Sequence, residues 1–104
     1  ILQHEIIEQL NQDGHPITAG STGENILIHG LAIGDIKPGS VIKFPDVQLM
    51  ITQDAPPCKT IKESFLDGYF NAISHIKSPN NTRWYAKVIE EGLVRLNDTI
   101  EVIN

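Results

Sequence analysis

The stretch spanning residues 41–52 constrains the fold more than any other. Two apolar runs, residues 41–44 and 47–52, are separated only by Pro45-Asp46. So short a connection points to an antiparallel hairpin. In the second run Val47, Leu49 and Ile51 fall on one face, and Gln48, Met50 and Thr52 on the other. That is the two-residue period of a strand with one face in a core. The rest of the chain is cut into similarly short pieces. Residues 26–28 read as a strand closed by His29-Gly30, and residues 84–90 as another, followed by a Glu91-Gly92 turn. Residues 93–96 and 99–103 read as short strands around Asn97-Asp98. The residue usage agrees, since sixteen Ile and five Val stand against eight Leu and five Ala, and β-branched residues favour strands.

Two helices are expected among these strands. Residues 4–10 place Ile6, Ile7 and Leu10 on one face and Glu5, Glu8 and Gln9 on the other. Gly14 and then His15-Pro16 stand where such a helix ends. Further on, Thr60-Ile61-Lys62-Glu63 has the capping-box spacing. The helix it would start is expected to bury Ile61, Phe65, Leu66 and Tyr69, with Gly68 limiting it to two or three turns. The overall expectation is one mainly β domain, a small β-barrel with two short helices over residues 1–104.

Several function classes drop out on composition. Eight basic residues against thirteen acidic give a net charge of −5. A generic nucleic-acid binder needs the opposite balance, because phosphate neutralisation supplies most of its affinity. No apolar run reaches the ~20 residues of a membrane span. A single cysteine excludes an internal disulfide framework. The lone thiol and the lack of secretory features lead to the expectation of a cytoplasmic protein. Asn80-Asn81-Thr82 and Asn97-Asp98-Thr99 match the glycosylation pattern, but seven Asn among eleven Ser/Thr give nearly one such match by chance.

Three places could carry chemistry. Cys58 follows Pro56-Pro57, which restrict the backbone, and precedes Lys59 and Lys62. Positive charge and a following helix N-terminus would favour the thiolate, the form that reacts or binds metal. The alternative is a buried structural cysteine, and the residues alone leave both open. Residues 20–25, Gly-Ser-Thr-Gly-Glu-Asn, combine two glycines with hydroxyls and consecutive N–H groups that can cradle an anion. No Lys-Ser/Thr pair follows, so it is not a P-loop, and a plain turn is the alternative. Arg83-Trp84-Tyr85 offers a forked donor beside aromatics, though such aromatics also begin ordinary core strands. The histidines at 4, 15, 29 and 75 show no metal-ligand spacing.

These segments, in this order, resemble the MOSC domain family, named after the C-terminal domain of molybdenum-cofactor sulfurase. The resemblance runs through Gly23-Glu24-Asn25-Ile26, Gly30-Leu31, Gly39-Ser40-Val41-Ile42, Ile51-Thr52 and Pro57-Cys58. It resumes at Tyr85-Ala86-Lys87-Val88 and ends with Glu91-Gly92-Leu93-Val94 and Asp98-Thr99-Ile100-Glu101-Val102, covering about four-fifths of the chain. It implies a barrel related to the small barrel domain of pyruvate kinase. It implies that Cys58 carries sulfur as a persulfide or ligates molybdenum, with molybdopterin as the cofactor and no role for pyridoxal phosphate. By the same resemblance Asn25 stands near the pterin or its phosphate, and the loop before it supplies N–H groups. Gly23, Glu24, Asn25, Lys59, Arg83 and Tyr85 are then the expected cofactor-binding residues, with Arg83 or Lys59 helping to hold the phosphate.

The implied activities are sulfur transfer from a donor protein, or reduction of N-hydroxylated compounds using an external electron-donor protein. The rival is a non-catalytic barrel for ligand binding or protein contact, with Cys58 inert. An upstream Gly-Asp-x-His-type motif usual in the family is not present in residues 1–104. The chain opens at Ile1 without an initiator Met, so some tens of preceding residues are expected to complete barrel and pocket. Failing those, a homodimer is expected to cover the open edge.

Overall fold

A computed structural model describes residues 1–104. The hairpin forms at its centre. Strand β3 (Val41–Lys43) pairs antiparallel with β4 (Gln48–Asp54), placing Ile42 opposite Leu49. Val47, Leu49 and Ile51 are buried, while Gln48 and Met50 are half-buried and Thr52 is exposed, as the alternation requires. Strand β5 (Trp84–Glu90) lies along the other side of β4, and β6 (Glu101–Ile103) along β3, both antiparallel. The sheet order is β5-β4-β3-β6.

Two smaller strands lie apart from that sheet. Strand β1 (Leu2–Gln3) pairs in parallel with β2 (Leu27–Ile28), at the site where residues 26–28 were expected to be extended. Helix α1 (His4–Gln12) follows β1 directly and buries Ile6, Ile7 and Leu10, the face its period predicts. Gly14, at φ +94°, ends the helical path where a side chain would be strained. The β1–β2 pair divides two apolar clusters. Leu2 joins Ile6, Ile17, Phe65 and Ile73 under α1, and Ile28 joins Ile42, Phe44, Leu49, Ile51 and Trp84 on the inner face of the sheet.

Three expectations are corrected. The chain is mainly sheet, but it does not close into a barrel. Strands β5 and β6 are opposite edges of the four-stranded sheet, and β3 and β6 are each only three residues long. Such short strands cannot carry the continuous stagger that closure needs. Next, the helix expected from Thr60 is a succession of 3-10 turns, Lys59–Ser64, Leu66–Gly68 and Phe70–Ile73. Phe65 between them is extended, and Asp67 and Gly68 have φ of +54° and +70°. No side chain caps the first turn. Leu66 and Tyr69 consequently stay exposed, while Phe65 is buried. Finally, residues 93–96 form no strand. Asp98 turns the chain back on itself, accepting the Arg95 N–H through its carboxylate and donating its own N–H to the Arg95 carbonyl. Asn97 between them has φ +67°.

The turn after β5 packs against the hairpin turn. A Cβ on Gly92 would lie 2.2 Å from the Asp46 carbonyl oxygen, and Arg95 Nη1 donates to Asp46 Oδ2 at 2.8 Å. Gly92→Ala should therefore destabilise the fold by about 1–3 kcal/mol, the usual cost of overpacking. Ile51→Ala should cost about 2–5 kcal/mol, since the side chain is buried among the sheet's apolar face and leaves a cavity. Urea unfolding measures both; a Gly92→Ala midpoint equal to the wild type's contradicts the close approach.

Candidate functional site

The loop of residues 18–25 is built from two tight turns. Ser21 donates its N–H to the Thr18 carbonyl and Gly23 to the Gly20 carbonyl, both at 3.0 Å, with Gly20 and Gly23 at φ +81° and +78°. The positive φ values explain why glycine stands at both places. Glu24 then folds back over the loop. Its carboxylate accepts the Gly20 N–H and, at 2.6 Å, the Thr22 hydroxyl. Burial pushes the Glu24 carboxyl up, but hydrogen bonds from the Thr22 hydroxyl and from the Gly20, Glu24 and Thr22 N–H groups outweigh it. The carboxyl is held below its usual range. This corrects the expectation of an open anion cradle: the loop already surrounds an anion, and that anion is its own Glu24.

Arg83 joins this loop to the one that bears the cysteine. At the end of the β4–β5 ladder Asp54 stands opposite Trp84, and Ala55 donates its N–H to the Arg83 carbonyl at 2.8 Å. The Arg83 side chain reaches both loops. Nη1 donates to the Thr22 carbonyl at 2.7 Å and Nη2 to the Pro56 carbonyl at 3.2 Å. Its Nε is buried and has no partner, an arrangement that costs on the order of 1–3 kcal/mol. With both terminal nitrogens bonded to backbone, Arg83 is not the free forked clamp for phosphate that its type suggests. The 3-10 segment is tied in as well, through Ser64, whose hydroxyl donates to the Ser21 carbonyl at 3.2 Å and contacts the Ser21 hydroxyl at 2.9 Å.

Cys58 is exposed, not buried among aliphatic side chains. Its Sγ lies 2.7 Å from the Thr60 hydroxyl. Hydrogen bonds from the Thr60 side chain and backbone lower the thiol's pKa and outweigh desolvation, with the Arg83 charge as the least of the contributions. Thr60 was expected to cap a helix; it serves the thiol instead. The Cys-Lys-Thr spacing was visible in the sequence, but only the turn that brings Oγ1 back onto Sγ gives it meaning.

A hollow of about 270 Å³ opens beside these loops. Gly23, Glu24, Asn25, Arg83 and Tyr85 line it, together with Ala55, three residues before the cysteine. Five of the seven residues singled out in the sequence thus share one wall. Cys58 and Lys59 do not line it; both are exposed on the adjoining loop. A larger hollow of about 650 Å³ lies between residues 25–31, Phe44 and residues 94–100, and shares Asn25 and Ile26 with the smaller one. Cys58 lines neither, but the smaller one is walled by Ala55 and by Arg83, which bonds to the Pro56 carbonyl of the cysteine loop. No three His, Cys, Asp or Glu side chains gather closely enough to hold a metal ion among themselves. The donor set suits only a group that needs a single protein sulfur ligand, the accessible, thiolate-favouring Cys58 on the loop that continues from Ala55.

Comparison with known proteins places this geometry in a family. The uncharacterized protein YflK of Bacillus subtilis (strain 168) is 24% identical over 89 residues, covering 86% of this chain and 39% of its own length. The crystal structure of YiiM from Geobacillus stearothermophilus matches over 100% of this chain and 54% of that one, with a TM-score of 0.75 and 21% identity. That of YiiM from Escherichia coli matches over 100% and 54%, with a TM-score of 0.64 and 18% identity. The chain therefore spans 39% of the length of YflK and about half that of the two YiiM structures, and at such identities the structural likeness shows the fold. No helix is long and apolar enough to cross a membrane. The model of the MOSC domain matches residues 1–101, and by that match over nearly its whole length the chain belongs to the MOSC domain family.

Proposed function

We propose that this domain serves the molybdenum cofactor through Cys58, as a persulfide carrier or as the protein's ligand to molybdenum. The observation that carries this reading is the exposed Cys58 sulfur, turned toward the thiolate by Thr60, on the loop that leaves at Ala55 a hollow also walled by Gly23, Glu24, Asn25, Arg83 and Tyr85. A thiolate is what both roles need. As a carrier it attacks the terminal sulfur of a donor protein's persulfide. The new bond joins Cys58 Sγ to that sulfur, and the donor's S–S bond breaks to leave the donor thiolate. As a ligand it is a soft donor of the kind molybdenum accepts. When bound, the cofactor would supply two-electron oxygen-atom chemistry at the metal, with electrons from a separate donor protein.

The other residues take roles that follow from their positions. Asn25 and Tyr85 present polar groups along the hollow and would orient the pterin. Lys59, exposed next to the sulfur, is left free to meet an anionic part of the cofactor or an acidic donor protein. A phosphate would not enter the Gly20–Glu24 turn while Glu24 fills it. The working compartment in this reading is the cytoplasm, where a lone thiol stays reduced. A homodimer would cover the open edge of β5, on which Val88 and Ile89 are 58% and 46% exposed. The second reading is a ligand-binding module with an inert thiol, and one observation favours it: the larger hollow near Phe44 and Leu96 lies apart from the cysteine.

Cys58→Ser separates the two. The sulfur is exposed, so the substitution should leave the thermal midpoint unchanged while molybdenum content, or labelled sulfur received from a donor protein's persulfide, falls to background. Undiminished loading would favour the inert module. The pH dependence is equally specific. Because the Cys58 pKa is lowered, alkylation should reach its plateau at a lower pH than that of an ordinary thiol. Thr60→Val removes the largest cause, so the alkylation midpoint should move up toward the ordinary thiol range; an unmoved midpoint contradicts the assignment.

A further inference from the structure

A third hollow, of about 220 Å³, has no part in the reading above. Gln3, Ile36, Lys37, His75, Asn80 and Trp84 border it, and it shares only Trp84 with the hollow beside the cysteine loop. Three of its polar groups are left unused by the fold. Gln3 is 2% exposed, and its Nε2 donates to the Leu31 and Ala32 carbonyls at 3.4 and 3.1 Å. That fixes the amide, because the flipped form would set oxygen against oxygen. Gln3 Oε1 then has no protein donor. The sealed, unpartnered side-chain atoms are Glu5 Oε1 and Arg83 Nε, and Gln3 Oε1 is not among them; it keeps an opening, and Gln3 lines this hollow. The second group is His75. Thr82, 2% exposed, gives its single hydroxyl proton to the Pro79 carbonyl at 2.7 Å, with Oγ1 2.9 Å from His75 Nδ1. Oγ1 can therefore only accept from the ring, so neutral His75 carries its proton on Nδ1 and offers Nε2 as an acceptor. The ring leans on Trp84, with centroids 5.4 Å apart. The third is Lys37. Its backbone is held by Ser40, whose Oγ accepts the Lys37 N–H at 3.1 Å and whose N–H reaches the Lys37 carbonyl at 3.0 Å. Its ammonium is in neither ion pair of the protein, His4–Glu8 or Arg95–Asp46.

We propose that this hollow binds a small carboxylate that carries a hydrogen-bond donor on the neighbouring carbon, a short hydroxy or amino acid. The carboxylate meets Lys37, and the hydroxyl or ammonium donates to Gln3 Oε1 and His75 Nε2. Ile36 and Trp84 give the short carbon chain an apolar wall. Size sets the class as firmly as charge does. At ~30 Å³ each, about seven waters fill the space, and it falls below the ~300 Å³ at which sites for larger ligands begin. A pterin is excluded there, so this site is separate from the one proposed for the molybdenum cofactor and does not rest on it. The pairing of two fixed acceptors with one cation also excludes a bare anion such as phosphate, whose acceptor-only oxygens would face Gln3 Oε1 with no proton to share.

The test is a titration of the wild-type chain, followed by nitrogen-15 NMR, with four matched probes: lactate, alanine, propionate and lactamide. Propionate lacks the donor and lactamide lacks the charge. Lactate or alanine should shift the Lys37, His75 and Trp84 signals, and whichever of the two binds tighter names the donor. Propionate should bind about tenfold more weakly, because it leaves the Gln3 and His75 acceptors unpaired. Lys37→Met should weaken the better probe about threefold or more and leave lactamide unchanged. Its side chain is exposed, so the fold is not at stake. The imidazole nitrogens give a second readout that needs no variant. In the free protein at a pH where His75 is neutral, its proton should sit on Nδ1, and the Nε2 signal should move when lactate or alanine binds. Equal affinity for lactate, alanine and propionate, no shift at these residues with any probe, or a His75 proton on Nε2 overturns the proposal. None of these readouts involves Cys58, so failure here leaves the cofactor reading standing, and loss of that reading leaves this site standing.

Discussion

The structure depends on the one-sided burial of β4. This strand is paired along both edges, with β3 on one side and β5 on the other. Its Leu49 and Ile51, with Val47 just before it, are 6%, 1% and 5% exposed. Burial of each is worth roughly 1.5–3 kcal/mol, and a slip of one residue would turn all three to solvent. The register is therefore strongly specified, and everything at the end of the ladder inherits it. Asp54 meets Trp84 there, Ala55 bonds to Arg83, and the chain runs on through Pro56-Pro57 to Cys58. The thiol's position is thus a consequence of sheet register more than of anything local to the cysteine.

At that end of the sheet, polar groups satisfy one another before any ligand arrives. Glu24 fills the turn whose residues suggested an anion site, and Arg83 gives both terminal nitrogens to backbone carbonyls. The protein carries a net charge of −5, so long-range attraction of an anionic cofactor by the whole surface is not available. What remains is local: an exposed sulfur lowered in pKa by Thr60, a free Lys59 and a hollow bordered by Asn25 and Tyr85. Preorganised loops of this kind carry their ordering cost in the fold, so little conformational entropy is left to lose on binding.

The same economy explains why the domain shows apolar surface. Strands β5 and β6 are sheet edges, and Val88, Ile89, Leu93 and Leu96 are exposed around β5 and the turn that follows it. Unpaired edges with apolar neighbours are the surfaces that other chain segments cover. The chain spans about half the length of the YiiM structures it matches, and 39% of YflK.

Local sequence determined what repeats locally. The alternation of Val47, Leu49 and Ile51, the helical spacing of Ile6, Ile7 and Leu10, and the Gly14 stop are each written within a few residues, because side-chain direction follows the backbone period. Hence the hairpin, the long strand Trp84–Glu90 and the first helix were legible. Only the tertiary structure decided the rest. Leu2–Gln3 pairs with Leu27–Ile28 in parallel through contacts some 25 residues apart. Phe65 is drawn into the cluster under α1, and this, with the left-handed turn at Asp67-Gly68, breaks the expected helix into 3-10 turns despite its capping-box spacing. Thr60 bonds the sulfur where a cap was expected, Glu24 occupies its own loop, and Arg83 spans carbonyls brought together from distant parts of the chain. A donor's partner is chosen by which acceptor the finished fold places within 3 Å or so, and no local period encodes that.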